Sequence, residues 1–320
     1  MTTAELLAKA TADWTFTSSD LGGAGEAPLS TEQARQFIEL MSADQVMLPD
    51  VRTVTSNAAK WQESGIDFAA RIARGATQGE RLASGDRLKP TTFIVELSTD
   101  LLRAEVPVAD ETFEDVAAED LGGALERTIA SRFGYDVEDL LLNGDTASGD
   151  SYLAQLDGWI KLSKGTGTNT VDATSYGADY ETIFNKMIQS LPDRHKRNLE
   201  AQGRFYVPQR LLEKIREQRA ARGTALGDQY LTGVIPVKHQ GIEVHGVPAL
   251  TITAATPDTS HILLTNRNNL YAGFQRKITF ETFRDPREGA TSFVVTARVA
   301  AAIAVVGATV IATGVDVEPS

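Results

Sequence analysis

A chain of 320 residues, 42% hydrophobic and 23% charged, is long enough to bury a substantial core and has the balance of a folded globular protein. Small stapled scaffolds and wholesale disorder are therefore excluded. It contains no cysteine, which removes disulfide frameworks, thiolate metal sites and a cysteine nucleophile in one step. The formal charge of −12 is uneven: residues 1–160 hold 12 basic and 28 acidic side chains, and residues 161–320 hold 19 and 15, giving −16 and +4. An acidic chain lacks the clustered Lys and Arg that bind duplex DNA through its phosphates, whereas parts of opposite sign can steer copies together head to tail.

The first residues, MTTAELLAKATADW, show no basic segment ahead of an apolar one. The longest apolar run, Val299 to Ala312, is shorter than the roughly 18 residues that cross a membrane, so neither a signal peptide nor a membrane span is expected. Residues 1–29 are rich in Thr, Ser, Ala and Gly and end in Asp20-Leu21-Gly22-Gly23-Ala24-Gly25-Glu26-Ala27-Pro28, which predicts an extended arm. Ser30 and Gln33 have capping-box spacing, and Ala34, Phe37, Ile38 and Met41 continue one helical face to about Leu48, where Pro49 stops it.

Residues 53–97 combine strand-like runs, Thr53-Val54-Thr55 and Phe93-Ile94-Val95-Glu96-Leu97, with a Gly- and Pro-bearing tip flanked by Arg71, Arg74, Arg81, Arg87 and Lys89. This predicts a long polar hairpin with too few large apolar residues to bury a core, so it must lie on its own body or on a neighbouring chain. The next pattern is helical. Phe113, Ala117, Leu121, Leu125, Ile129, Phe133, Val137 and Leu141 recur every fourth position, Thr112 with Asp115 signals the start, and Asn143-Gly144-Asp145 the stop. One amphipathic helix over about 113–142 would run roughly 45 Å and needs a sheet to lie across, with Gly122-Gly123 marking a possible bend.

Residues 145–178 read as loops with a short strand near Leu156-Asp157-Gly158-Trp159-Ile160. Helices are predicted over 179–200 and 208–221, with the strand Arg204-Phe205-Tyr206-Val207 between them. Only strand-like runs follow, at 234–250, 261–265, 270–283 and 291–313, the last two separated by the turn Arg284 to Gly289.

Chemistry-bearing motifs are sparse. Neither Gly22 to Gly25 nor Lys164-Gly165-Thr166-Gly167 has the spacing and the Lys-Ser/Thr helix start of a phosphate loop. The acidic stretch Asn143 to Asp150 lacks the ligand alternation and terminal Glu of a calcium loop. His239 and His245 could share a strand face and hold zinc, but Gly241 and Gly246 argue for turns and no third ligand is evident. No nucleophile elbow, zincin helix or acid–base pair stands out. No catalytic residue, cofactor or metal is assigned.

The order of parts resembles the tailed-bacteriophage major capsid protein of the Hong Kong 97 fold. The residues that carry the resemblance are Glu96-Leu97-Ser98-Thr99-Asp100-Leu101-Leu102 before the long helix, Leu142-Asn143-Gly144-Asp145 followed by Leu156-Asp157-Gly158-Trp159-Ile160 after it, Tyr206-Val207-Pro208-Gln209-Arg210-Leu211-Leu212 leading a helix, and Phe283-Arg284-Asp285-Pro286 with Ala297-Arg298 near the end. The resemblance implies an α+β fold with an N-arm and short helix at 1–49 and an E-loop at 50–96. It further implies a peripheral domain at 97–170 and 271–299 built on the spine helix, and an axial α/β domain at 171–270 and 300–320.

It also implies a non-enzymatic subunit that closes as pentamers and hexamers into an icosahedral shell around packaged phage DNA, assembled in the host bacterial cytoplasm. The chain itself would be the main partner, with portal, scaffolding and decoration proteins beside it. No scaffolding segment precedes the arm, which suggests a separate scaffolding protein or a sequence already in mature form. In the family the E-loop reaches over a neighbour, so Arg71, Arg74, Arg81, Arg87 and Lys89 are expected to meet acidic residues of the neighbouring spine region such as Glu114, Asp115, Glu119 and Asp120. No Lys–Asn cross-link is predicted for Lys60 or Lys89. Two other readings are an encapsulin-like nanocompartment shell, which a cargo-enzyme gene neighbourhood would favour, and a soluble α/β hydrolytic enzyme, which a monomer with a deep polar pocket would favour.

Overall fold

The computed structural model describes residues 45–317 except 68–71, 74, 76–77, 80, 82, 84–86, 88, 110–120, 166, 168, 178, 198, 221–235, 251–258, 276–278 and 286–288. The arm, the helix expected from Ser30 and the start of the long helix lie outside these residues. The helix expected to reach Leu48 does not do so: Gln45 to Asp50 is a bend followed by a turn, closed by the Asp50 and Val51 amides donating to the Met47 carbonyl at 2.9 and 3.0 Å.

Two sheets organise the body. The longer is centred on β12 (Ala290–Ile303), whose Ala-, Val- and Thr-rich sequence suits a strand packed on both faces. One side of β12 pairs antiparallel with β4 (Asp100–Ala109) over ten residues. Its other side takes β11 (Thr279–Asp285) and then β10 (Leu270–Gln275), with β1 (Arg52–Ser56) parallel to β10 at the edge. Sequence reading passed over β4, although it alternates cleanly: Leu102 is buried and Ala104, Val106 and Val108 half-buried, while Leu101, Arg103, Glu105, Pro107 and Ala109 are exposed. Its Pro107 and its charges weakened the strand signal.

The second sheet has six strands in the order β5 (Asn169–Asp172), β13 (Val310–Asp316), β9 (Thr259–Asn266), β6 (Gly203–Pro208), β8 (Ile242–Val247) and β7 (Lys238–His239). Both faces are covered, so β6, predicted from Arg204-Phe205-Tyr206-Val207, is buried at every position. On one face lie α3 (Tyr180–Ser190), N-capped by Asp179, and α5 (Gln209–Ala220), through Ile183, Phe184, Met187, Leu211 and Ile215. On the other lies the end of α1 (Leu121–Asn143).

The described part of α1 confirms the fourfold stripe. Ile129, Phe133, Val137 and Leu141 are buried together with Leu140, against Leu102 of β4, Phe293, Val295, Ala297 and Val299 of β12, and Tyr206, Leu263 and Ile311 of the second sheet. The helix therefore joins two sheets, where the sequence suggested one. The short strand expected near residues 156–160 is instead the helix α2 (Trp159–Ser163). Trp159 is fully buried and its indole N–H donates to the Tyr271 carbonyl at 3.3 Å, so a large side chain buried between layers, rather than a ladder, holds this stretch. The strand of this region lies later, at β5. After α3, α4 (Leu199–Gln202) is a single turn that leads into β6.

The stop of α1 has a backbone cause. The Gly144 amide donates to the Leu140 carbonyl at 2.9 Å and the Gly158 amide to the Gly144 carbonyl at 2.8 Å. A methyl on Gly144 would lie 2.4 Å from the Leu156 carbonyl oxygen, and one on Gly158 would lie 2.7 Å from the Gly144 nitrogen. Asn143 adds bonds to Asp139 and to the Ala249 carbonyl, and Asp157 accepts from the amide and hydroxyl of Thr146. Two glycines in backbone contact explain why Asn143-Gly144-Asp145 and Leu156-Asp157-Gly158-Trp159 occur as a pair.

Candidate functional site

The hairpin expected at 53–97 is present as β2 (Lys60–Asp67) and β3 (Thr91–Ser98), paired antiparallel from Lys60↔Ser98 to Asp67↔Thr91. At eight residues per strand the ribbon extends roughly 26 Å. Among the described residues its anchors lie at the root. Val95 and Leu97 are buried with Tyr271, Ala300 and Ala302, half-buried Trp61 packs on Gly273, and Thr99 donates twice to the Ala59 carbonyl. Arg52 stacks over the Tyr271 ring at 4.9 Å beside the same root. Toward the tip the burial ends: Ile94 is 58% and Ile72 54% exposed, and Arg81, Arg87 and Lys89 are exposed with them.

Of the residues expected to meet across subunits, Arg71, Arg74, Glu114, Asp115, Glu119 and Asp120 lie outside the described residues. Arg81, Arg87 and Lys89 are described, and all three stand exposed toward the tip. Sequence reading missed a second exposed surface, the face of the long sheet turned away from α1. Register puts Pro107, Ser292 and Phe283 in one row and Glu105, Val294 and Glu281 in the next; the exposure lies on the flanking strands, with Phe283 48% and Leu101 52% exposed, while Ser292 and Val294 of the central β12 are buried. The alternation of β4 carried the signal for it.

Charged side chains gather where the chain enters the body. Tyr206 donates to Asp50 at 2.8 Å, Arg204 and Arg267 each lie 3.7 Å from the same carboxylate, and Arg204 continues at 3.2 Å to Glu243, which also holds Lys238 at 2.9 Å. Burial, with the Asp50 charge next, pushes the Tyr206 hydroxyl well above its ordinary range, so it stays a donor. The hydrogen bond from Lys238 is the main cause holding the Glu243 carboxyl below its usual range. Asp50 is more than 150 positions from Arg204, Tyr206 and Arg267, and nothing in the local sequence links them.

The histidines singled out from sequence do not converge. His239 bonds Asn185 at 2.9 Å ahead of a turn at Gln240 and Gly241, both at positive φ, while His245 lies beside Glu243 and Tyr206. His261 accepts from Lys164 at 2.9 Å, and burial, with Lys164 second, pushes it down to about 4. Among the described residues no group of three His, Asp or Glu is arranged to hold a metal, and no helix is long and apolar enough to cross a membrane.

The profile of the phage capsid family matches residues 25–314. The prophage capsid protein YqbE of Bacillus subtilis (strain 168) is 32% identical over 295 residues, which is 90% of this chain and 91% of YqbE. Among solved structures, the satellite phage P4 procapsid including size determination (Sid) protein has a TM-score of 0.67 at 14% identity, over 98% of this chain and 96% of that one. The capsid of the native GTA particle has a TM-score of 0.58 at 14% identity, over 95% of each chain. These two likenesses establish a shared fold, and the family match and YqbE establish kinship. The chain belongs to the phage capsid family: it is a structural shell protein of the phage particle with the Hong Kong 97 type of fold, not an enzyme.

Proposed function

We propose that this chain is the major subunit that closes, as pentamers and hexamers, around packaged phage DNA, and that the β2–β3 hairpin is the E-loop by which one subunit holds the next. The observation that carries this reading is the hairpin itself. It projects beyond its root with exposed Ile94 and Ile72 and exposed Arg81, Arg87 and Lys89, an arrangement that needs a second surface to bury it.

The surface that receives it is the neighbour's spine region, where Glu114, Asp115, Glu119 and Asp120 supply the opposite charge to Arg71, Arg74, Arg81, Arg87 and Lys89. The long sheet with α1 and the hairpin root serves as the peripheral domain, and the six-stranded sheet with α3 and α5 as the axial domain, in keeping with boundaries of 97–170 with 271–299 and 171–270 with 300–320. Residues 1–49 act as the N-arm and 50–96 as the E-loop. A net charge of −12 suits a wall that encloses DNA without binding it tightly or by sequence. Portal and scaffolding proteins, with decoration proteins in some shells, complete the particle, which forms in the host bacterial cytoplasm.

Light scattering and negative-stain microscopy on the purified protein test this directly: closed shells or rings of five or six are expected, and a stable monomer even with scaffold present would overturn it. The double variant Arg74→Glu, Arg81→Glu is expected to weaken shell formation while leaving the subunit folded. Unchanged assembly would overturn the charge pairing.

A further inference from the structure

Glu138 is 1% exposed, on the face of α1 that meets residues 45–51. The amides of Met47 and Leu48, themselves 0% and 2% exposed, both donate to its Oε2, at 2.9 and 3.2 Å, and Gln45 Nε2 donates to the Ser131 carbonyl, about two turns earlier in the helix, at 3.2 Å. Successive backbone N–H groups thus form a small nest around one carboxylate oxygen. This segment is the point at which residues 1–44 join the body.

Among the described residues no cation answers the carboxylate. Arg204 and Arg267 turn to Asp50, the ionisable side chain of the docked segment, and Tyr206 donates to that same group. Along α1, Arg132 pairs with Asp136 at 3.1 Å and Asp139 is engaged by Asn143. A buried ionised carboxyl without a counter-charge is costly, whereas a neutral carboxyl keeps an oxygen that accepts both amides. The bonds to residues 47 and 48 therefore survive protonation and the charge-burial cost does not.

We infer that Glu138 is a proton-operated latch for the segment carrying the N-terminal residues, holding residues 46–48 most tightly when neutral and releasing them more readily when ionised. Burial, the largest influence on this group, raises its titration above that of a solvated Glu, with the Met47, Leu48 and Val46 amides opposing. Docking accordingly takes up a proton, and acid tightens the latch. The inference concerns the chain's own body and stands whether or not the hairpin pairing proposed above is right.

Hydrogen exchange on the full-length protein tests it, using protection factors so that the intrinsic pH dependence of exchange cancels. As pH falls from 8 to 4.5, the ordinary value of a solvated Glu, the Met47 and Leu48 amides should gain protection, roughly tenfold for each unit by which docking raises the carboxyl's titration, relative to Leu263 and Leu264 in β9. In Glu138→Gln, whose amide oxygen still accepts, the dependence should vanish. A flat wild-type profile, or the same slope in Glu138→Gln, would overturn the latch. Should that variant not fold, Asp50→Asn decides: a slope that persists there supports Glu138, and a slope that disappears assigns the titration to Asp50 and overturns the proposal.

Discussion

The body and the hairpin are built from the same backbone ladder but are stabilised by different means. In the body, large side chains such as Trp159, Phe205 and Phe274 are buried to within 1%, and each contributes about 1.5–3 kcal/mol of transfer free energy. The hairpin buries Val95 and Leu97 fully and Trp61 in part, all at its root. Two strands without a covered face are marginal in water, so order beyond the root has to come from contact with something else. On the proposed E-loop reading, a subunit folds before it assembles and keeps one element that its neighbour completes.

The strongest way to break this contrast is at the paired glycines. Gly144→Ala would push a methyl to 2.4 and 2.5 Å from the Leu156 and Leu140 carbonyls, and because both obstacles are backbone the cost is expected to reach about 3 kcal/mol. Urea unfolding should show the loss, and a change under about 0.5 kcal/mol would mean that the junction gives way.

Next comes pH. His261 is held neutral in the fold, down to about 4, so in the window between that value and an ordinary histidine the unfolded chain binds the extra proton. Its contribution is fully present above about pH 6.5 and is lost as pH falls toward 4. About 2 kcal/mol of body stability should disappear across that window, and His261→Gln should flatten the curve. This trend opposes that of Glu138, so global unfolding and the local opening of residues 46–48 should move in opposite directions on acidification.

The smallest stability effect is expected at the hairpin tip. Charge reversal at Arg74 and Arg81 should shift subunit unfolding by less than about 0.5 kcal/mol, as for exposed side chains generally, while changing assembly. A larger loss by calorimetry would show that the tip is supported by its own chain, and the contrast between hairpin and body would fail.

The candidate surface was legible in part. The basic tip could be read because Arg71, Arg74, Arg81, Arg87 and Lys89 crowd a stretch poor in large apolar residues. The Asp50 cluster and the Glu138 nest could not, because their partners, Arg204, Tyr206 and Arg267 in one case and backbone amides of residues 47 and 48 in the other, leave no mark on local composition. Strand β4 lay between these cases: its period of two was present, but Pro107, Arg103 and Glu105 on the open face masked it.

By itself the sequence determined what depends on local spacing. It set the apolar stripe of α1, the strand β6 around Phe205-Tyr206-Val207, the polar hairpin, and the order of parts by which the family can be recognised. Tertiary structure alone decided that residues 159–163 coil into a helix around a buried indole, that α1 bridges two sheets rather than one, and that a carboxylate is buried beside the chain's entry into the body. Spacing fixes which face of an element is apolar, whereas what covers that face, and which polar groups are trapped beneath it, depends on segments far apart in the chain meeting in three dimensions.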